Sequence, residues 1–381
     1  MSKKRIYFDH AATTPLLPEV KDHLCEIVGK FYGNPSSTHA EGRASRSFIE
    51  ECRKTVSKHL SCNPSELFFT SSGSESNNLI LKSCVRSLGV TDIISTQIEH
   101  ACNLNTFDWL SERGLAKIHY LDVDHYGRFS EEQLDLLLRR YPGSTTLVSL
   151  MHVNNELGTI TDLESTGQVV HSHGALFHSD TVQGMGFSKY ALRDLPVDFA
   201  TGSAHKFYAP KGSAFTYIRS GNILEPLVHG GSQERNMRAG TENIYGIGAL
   251  SFALSRCYED LDSRLTTLAQ LRERFISNLM EHVPGLELNS PPENVSPKIV
   301  NVHFPWFEGI ELMNVLFDVE GLSVSAGSAC SSGTEKGSHV ISAIRPNHPG
   351  KAVRFSFAHF NTPQEIDHSI DIISRCLKGK W

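Results

Sequence analysis

The stretch VDFATGSAHKFYAPKGSAF, residues 197–215, decides how this chain is read. Its apolar start, Val197-Asp-Phe-Ala200, reads as a short strand, the small residues that follow as a tight loop, and Ser213-Ala-Phe-Thr-Tyr-Ile218 as a returning strand. Lys206 follows Thr201-Gly-Ser-Ala-His205 and precedes Phe207, Tyr208 and Ala209-Pro-Lys-Gly212, so it sits at a strand end in a crowded site. A lysine held there is desolvated, its pKa falls, and its free amine can form a Schiff base with an aldehyde. A surface lysine beside a turn is the plain alternative, and the neighbouring segments decide between the two.

Upstream, 67–70 is a short buried strand running into Ser71-Ser-Gly-Ser-Glu-Ser-Asn-Asn78 and then the apolar-periodic 79–85. A helix starting at that turn aims free N–H groups and its positive end outward, which suits a phosphate; Gly73 permits close approach and Ser74 adds a hydroxyl, although Ser and Asn at a helix start also serve as simple caps. Alternation continues with strand 92–97, helix 100–113, strand 117–121, helix 131–140, strand 146–152 ending in Val153-Asn-Asn-Glu-Leu-Gly158, helix 163–173, and 175–178 leading into Ser179-Asp-Thr-Val-Gln183. Such alternation predicts a mostly parallel α/β sheet with ligands gathered at the carboxyl ends of the strands. The polar residues after each strand are therefore the candidates: Ser74, His100, Asn155, Asp180, Gln183, Ser203, His205 and Lys206.

Before this alternation lie Tyr7-Phe-Asp-His-Ala-Ala-Thr-Thr-Pro15, a strand start breaking into a turn, a helix at 18–28, a turn-rich loop Tyr32-Gly-Asn-Pro-Ser-Ser-Thr-His39, and a helix at 40–60. After it come Val228-His-Gly-Gly-Ser-Gln233 and Arg235-Asn-Met-Arg-Ala-Gly-Thr-Glu-Asn243, fit for an anion or a subunit contact. The pattern then predicts one long amphipathic helix over 255–283, with Leu261, Leu265, Leu268, Leu271, Phe275 and Leu279 on one face, and a domain boundary near it. The remainder reads as a smaller α/β unit: strand 299–304, helix 310–317, strand 322–325 and a closing helix 363–377. Within it Ser325-Ala-Gly-Ser-Ala-Cys-Ser-Ser-Gly333 is made of small residues throughout, so Cys330 is expected on a mobile, accessible loop where a thiol can react.

At 381 residues the chain can bury a large core and is long enough for two domains. A net charge of −6 offers no basic footprint for nucleic acid, and no segment approaches a signal peptide or a membrane span, so a soluble, cytoplasmic protein is expected. The eight cysteines are scattered without a C-x-x-C pair, which suggests neither a metal site nor a disulfide framework.

Taken together these segments resemble the NifS/IscS-type cysteine desulfurases, class V aminotransferase relatives with the fold-type-I architecture of enzymes that use pyridoxal 5′-phosphate (PLP). The resemblance covers nearly the whole chain and is carried by Ser203-Ala-His-Lys206 with Pro210-Lys-Gly212, Val153-Asn-Asn-Glu156, His229-Gly-Gly231 through Met237-Arg-Ala-Gly-Thr241, Gly327-Ser-Ala-Cys330 and Val353-Arg-Phe-Ser356. It implies a large PLP-binding domain over 16–255 with a mostly parallel sheet, and a smaller C-terminal α/β domain formed by 1–15 and 256–381.

The resemblance also implies roles. Lys206 holds PLP and moves the Cα proton, Asp180 pairs with the pyridinium nitrogen, Gln183 bonds the ring hydroxyl, and Asn155 touches ring or substrate. His100 stacks on one ring face as an acid/base with Val182 on the other. Gly73, Ser74, Ser203 and His205 hold the phosphate, joined by Thr241 from the partner subunit of a homodimer. Arg354 binds the carboxylate of L-cysteine, assisted by Asn34, and Cys330 takes the sulfur as a persulfide for an acceptor protein, either an iron–sulfur scaffold or a thiolation partner. No metal is implied. Thr181, Ser74, Ala326 and His359 depart from the family's usual residues, the last two at the cysteine loop and its exit. A selenocysteine lyase or an aminotransferase of the same fold, or a non-catalytic sulfur carrier, are the competing readings.

Overall fold

The computed structural model describes residues 5–143, 145–307, 310–325, 337–347 and 352–378. In chain order the elements are β1 (Ile6–Tyr7), α1 (Pro18–Lys30), α2 (Ala40–His59), β2 (Leu67–Thr70), α3 (Gly73–Ser87), β3 (Asp92–Thr96), α4 (Ala101–Glu112), β4 (Lys117–Leu121), α5 (Glu131–Arg140), β5 (Thr146–Ser149), α6 (Leu163–Ser172), β6 (Leu176–Asp180), β7 (Phe199–Ser203), β8 (Ala214–Ile218) and α7 (Ile244–Glu259). They continue with α8 (Leu261–His282), β9 (Glu287–Leu288), β10 (Ile299–His303), α9 (Ile310–Val319), β11 (Leu322–Ser323), α10 (His339–Ile344), β12 (Ala352–Ser356) and α11 (Pro363–Leu377).

A seven-stranded sheet in the order β2-β8-β7-β6-β5-β3-β4 forms the centre, parallel except where β8 lies between β7 and β2. Strands β2, β5, β7 and β8 are buried along their whole length, as expected of strands covered by helices on both faces. The expected mostly parallel α/β sheet is therefore present. A smaller antiparallel sheet, β12-β10-β9, and the parallel pair β1-β11 hold the C-terminal part, with the start of the chain built into it. Asp9 bridges to Ser356, which continues that tie. Local signals hold the helices in place: α11 starts with a Thr362/Glu365 capping box and Pro363 at its first position.

One expectation is corrected. The helix read as one piece over 255–283 is two, broken at Asp260, and the first begins at Ile244. The reason is burial: Ile247, Gly248, Ala249, Leu250, Ala253 and Leu254 of α7 are all enclosed, so this first part of α7 carries no polar face to set a helical period. No helix among the described residues is long and apolar enough to cross a membrane.

Candidate active site

Strands β3, β5, β6 and β7 point the same way, and β8 runs against both β7 and β2. Because Thr70 and Ser203 both register with Ala214, the end of β2 comes to the same sheet edge as the end of β7. A cavity of ≈ 210 Å³ opens along that edge. It is lined by Ser72, Gly73, Ser74, Asn77, His100, Cys102, Met151, Val153, Asn155, Asp180, Val182, Gln183, Ser203, His205 and Lys206, with Ala12 closing one side. Ten of the expected residues therefore meet at one place: Lys206, Asp180, Gln183, His100, Asn155, Gly73, Ser74, Ser203, His205 and Val182.

Lys206 ends a short 3-10 turn that follows β7 directly, and its Nζ donates to the carbonyls of Ala11 at 2.7 Å and Ala12 at 2.8 Å. Asp180 is the last residue of β6; its Oδ2 accepts from Asn77 Nδ2 at 2.7 Å and its Oδ1 from the Val182 N–H at 3.0 Å. Two neutral donors thus fix the carboxylate without cancelling its charge, which leaves it able to hold a cationic N–H. Ser72 caps α3 by accepting the Glu75 N–H, so the helix starts at Gly73 and Ser74 with its positive end at the cavity. A Cβ on Gly73 would stand 2.9 Å from Val182 Cγ2, so only glycine leaves this wall open.

His100 caps α4, its Nδ1 accepting the Cys102 N–H at 3.2 Å, which leaves the ring proton on Nε2. Burial lowers its pKa, Asp180 opposes that shift, and Lys206 and His339 add to it. His205 lies 3.1 Å from Thr13 Oγ1, and burial with nearby Lys206, Lys211 and Lys298 pushes its imidazole down to about 4. Both rings are thereby kept neutral at physiological pH.

The remaining candidates lie elsewhere. Arg354, 2% exposed on β12, is forked between Asp9 Oδ1 at 2.8 Å and the Asn155 carbonyl at 2.9 Å, and its Nε has no partner. Asn34 is exposed outside the cavity and folds its Oδ1 back onto the Ser36 N–H. Thr241 is also exposed and lines a separate pocket with Phe69, Gly212, Arg238 and Asn243. Cys330 and Ala326 lie outside the described residues. The chain on either side of them is tied to the cavity's surroundings: Ser325 exchanges backbone hydrogen bonds with Arg354, Ser338 Oγ donates to Glu156 Oε2 at 2.5 Å, and the His339 ring meets the Glu99 carbonyl.

PLP offers a phosphate, a ring nitrogen, a ring hydroxyl and an aldehyde, and the lining matches each. The helix start, Ser203 and His205 suit the phosphate, Asp180 the ring nitrogen and Lys206 the aldehyde. Gln183 gives its Nε2 to the Ala11 carbonyl while its Oε1 is buried without a partner, as is Asn155 Oδ1. Buried orphan acceptors beside a cavity call for a donor, such as a ring hydroxyl.

Sequence reasoning missed Asn77, Cys102, Asp9 and the two alanine carbonyls. Asn77 was within reach, since it lies one helical turn after Gly73 and so shares its face. The carbonyls carry no side-chain signal at all.

The aminotransferase class-V family model matches residues 6–368. The chain is 37% identical to a cysteine desulfurase IscS of Dictyoglomus turgidum, over 99% of this chain and 95% of that one. It is 36% identical to a cysteine desulfurase IscS of Methanosarcina thermophila, over 98% and 92%. Among solved structures it resembles a NifS-like protein, with a TM-score of 0.90 and 36% identity over 98% of this chain and 99% of that one. It also resembles SspA in complex with cysteine, with a TM-score of 0.80 and 30% identity over 93% and 99%.

Proposed function

The chain belongs to the class-V aminotransferase family, among its cysteine desulfurases, and from that premise we propose how its own residues turn L-cysteine into L-alanine and a protein-bound sulfur. The observation that carries the reading is the meeting of Lys206, Asp180, His100 and a helix N-terminus in one cavity at the strand ends. PLP, once bound, supplies an electron-withdrawing ring that lets the Cα–H bond of an attached amino acid break.

Lys206 anchors the cofactor and, once freed, takes the Cα proton on Nζ. Asp180, pinned by Asn77, keeps a proton on the ring nitrogen, and Gln183 and Asn155 orient the ring. Val182 packs against one ring face and His100 against the other. Gly73, Ser74, Ser203 and His205 hold the phosphate, and a homodimer adds Thr241 from its second copy. Arg354, with Asn34, takes the substrate carboxylate in place of one of its present acceptors. Cys330, as thiolate, attacks the substrate sulfur. The carbon–sulfur bond breaks as the sulfur–sulfur bond forms, its electron pair stays with carbon, and carbon takes the proton that neutral His100 had removed from the Cys330 thiol, while Lys206 returns its proton to Cα. Cys330 is left as a persulfide and the three-carbon product leaves as alanine.

The unit over 16–255 binds the cofactor, and 1–15 with 256–381 form the unit bearing Cys330. We read the protein as cytoplasmic, passing its sulfur to an acceptor protein, an iron–sulfur scaffold or a thiolation partner.

The test is reductive trapping. Borohydride reduction of the PLP-loaded protein followed by peptide mass analysis is expected to put the pyridoxyl mass on the peptide containing Lys206 and to find none in Lys206→Ala. A label on Lys211 or Lys298 instead contradicts the assignment.

A further inference from the structure

The segment that carries Thr241 starts from an uncommon backbone. Glu234, Arg235 and Asn236 have φ of 44°, 56° and 67°, three successive side chains in the left-handed region that favours glycine. Such a run persists only where surrounding contacts impose it.

The contacts are specific. Glu234 is 5% exposed, and its two oxygens take Arg53 Nη1 and Nη2 at 2.8 Å each in a forked pair, while Oε2 also accepts the Phe69 N–H at 2.8 Å. Arg53 Nη1 donates in addition to the Leu67 carbonyl, and Arg235 reaches the same carbonyl while lying over the Phe68 ring. β2 is an edge strand, so Leu67 and Phe69 turn their free backbone groups outward, and this cluster closes them. Capping an edge does not by itself require three left-handed residues. Beyond them the segment stays fastened: Arg238 Nε pairs with Glu75 Oε1 at 2.9 Å in the first turn of α3, Gly240 N donates to Gln233 Oε1, and Asn243 Nδ2 to the Gly212 carbonyl. Thr241, between these ties, is exposed and forms no hydrogen bond among the described residues. A rigid frame thus presents one free hydroxyl outward, away from its own chain's cavity.

We propose that the buried Arg53–Glu234 pair is a positioning device that holds 234–243 in the shape in which Thr241 serves the cofactor site of a second copy of this chain. The proposal rests on the dimer reading above. Neither residue touches cofactor or substrate; each acts through the segment it shapes, and it acts on the other copy's site.

Three variants test it: Thr241→Ala, Glu234→Gln, and the double change Arg53→Met with Glu234→Met. The double change removes the charges together, so no lone buried ion threatens folding. Cofactor affinity is read by titrating apo-protein with PLP and following absorbance, with circular dichroism and sedimentation as checks on fold and dimerisation. Each variant is expected to remain a folded dimer and to lose roughly ten- to hundredfold in PLP affinity, the range for disturbed supporting shells. The deciding sample is a heterodimer, purified through two tags, of Lys206→Ala with the double variant. There the intact Lys206 faces an intact segment from the other copy, so one site per dimer is expected to bind PLP with wild-type affinity. A heterodimer as weak as the double-variant homodimer overturns action across the interface. Wild-type affinity in the double-variant homodimer, with Thr241→Ala weakened, overturns the positioning role but leaves the dimer reading standing. A monomeric wild-type protein, or unchanged affinity in Thr241→Ala, overturns both.

Discussion

The cavity lining and a second wall that stands outside it are built differently. On the sheet side, Asp180 is fixed by Asn77 and Val182, and His100 by the α4 backbone, so each group has its orientation set before any ligand arrives. In the second wall, outside the lining, the N-terminal segment and the small sheet gather cationic or basic groups with capacity unused: Arg354 has a free Nε, His10 has no partner at either ring nitrogen, and Lys298 is 1% exposed with its Nζ unbonded. Lys298 rests on the Phe187 ring, and burial with Lys206 and Arg354 nearby drives its pKa well below that of an ordinary lysine. The contrast assigns geometry to one wall and charge response to the other. Preorganisation suits the bound cofactor, and spare donors suit an anion that comes and goes.

The largest break of this contrast is at Arg354. Arg354→Lys removes the fork and is expected to raise KM for L-cysteine roughly 100-fold with PLP affinity unchanged, in steady-state assays beside cofactor titration. Equal losses in both would merge the two walls. Asn77→Ala is expected to do the reverse and more mildly. It frees Asp180 Oδ2, lowering kcat about tenfold with little change in KM, and shifts the cofactor's absorption maximum. The smallest effect is on acid stability through His10, whose pKa is pushed down to about 3 by burial, with Lys298 adding to the shift. Unfolded, its ring takes a proton near pH 6.5, which the folded state refuses. Its stabilising contribution is therefore full above about pH 6.5 and is lost as pH falls toward 3, by at most about 1.4 kcal/mol per pH unit. His10→Phe is expected to flatten the fall in denaturation midpoint across that window, and an unchanged slope removes His10 from the charge-responsive wall.

The sheet wall was also the more legible one. Lys206, Asp180 and His100 each stand at or just past the end of a short strand, and a parallel sheet brings such positions together whatever their spacing in the chain. Asn77 hid in a Ser/Asn cluster that reads equally well as a helix cap. The opposite wall resisted reading because it works through the Ala11 and Ala12 carbonyls and through Lys298, which precedes the β10 strand and carries no outward sign of burial. The missed start of α7 has a related origin: burial of nearly every residue from 246 to 254 erases the periodicity that marks a helix. Thr241 and Asn34 match the family's motifs yet stand outside the cavity, because a motif records a residue's type and not its place in the folded chain.

The most direct measurement is alanine release from L-cysteine by the PLP-loaded protein with a reductant present, run beside Cys330→Ala. The expected result is alanine from the wild type, and from the variant none above background although its cofactor absorbance is intact. Alanine formation by Cys330→Ala at the wild-type rate, or none by the loaded wild type, contradicts sulfur transfer through Cys330.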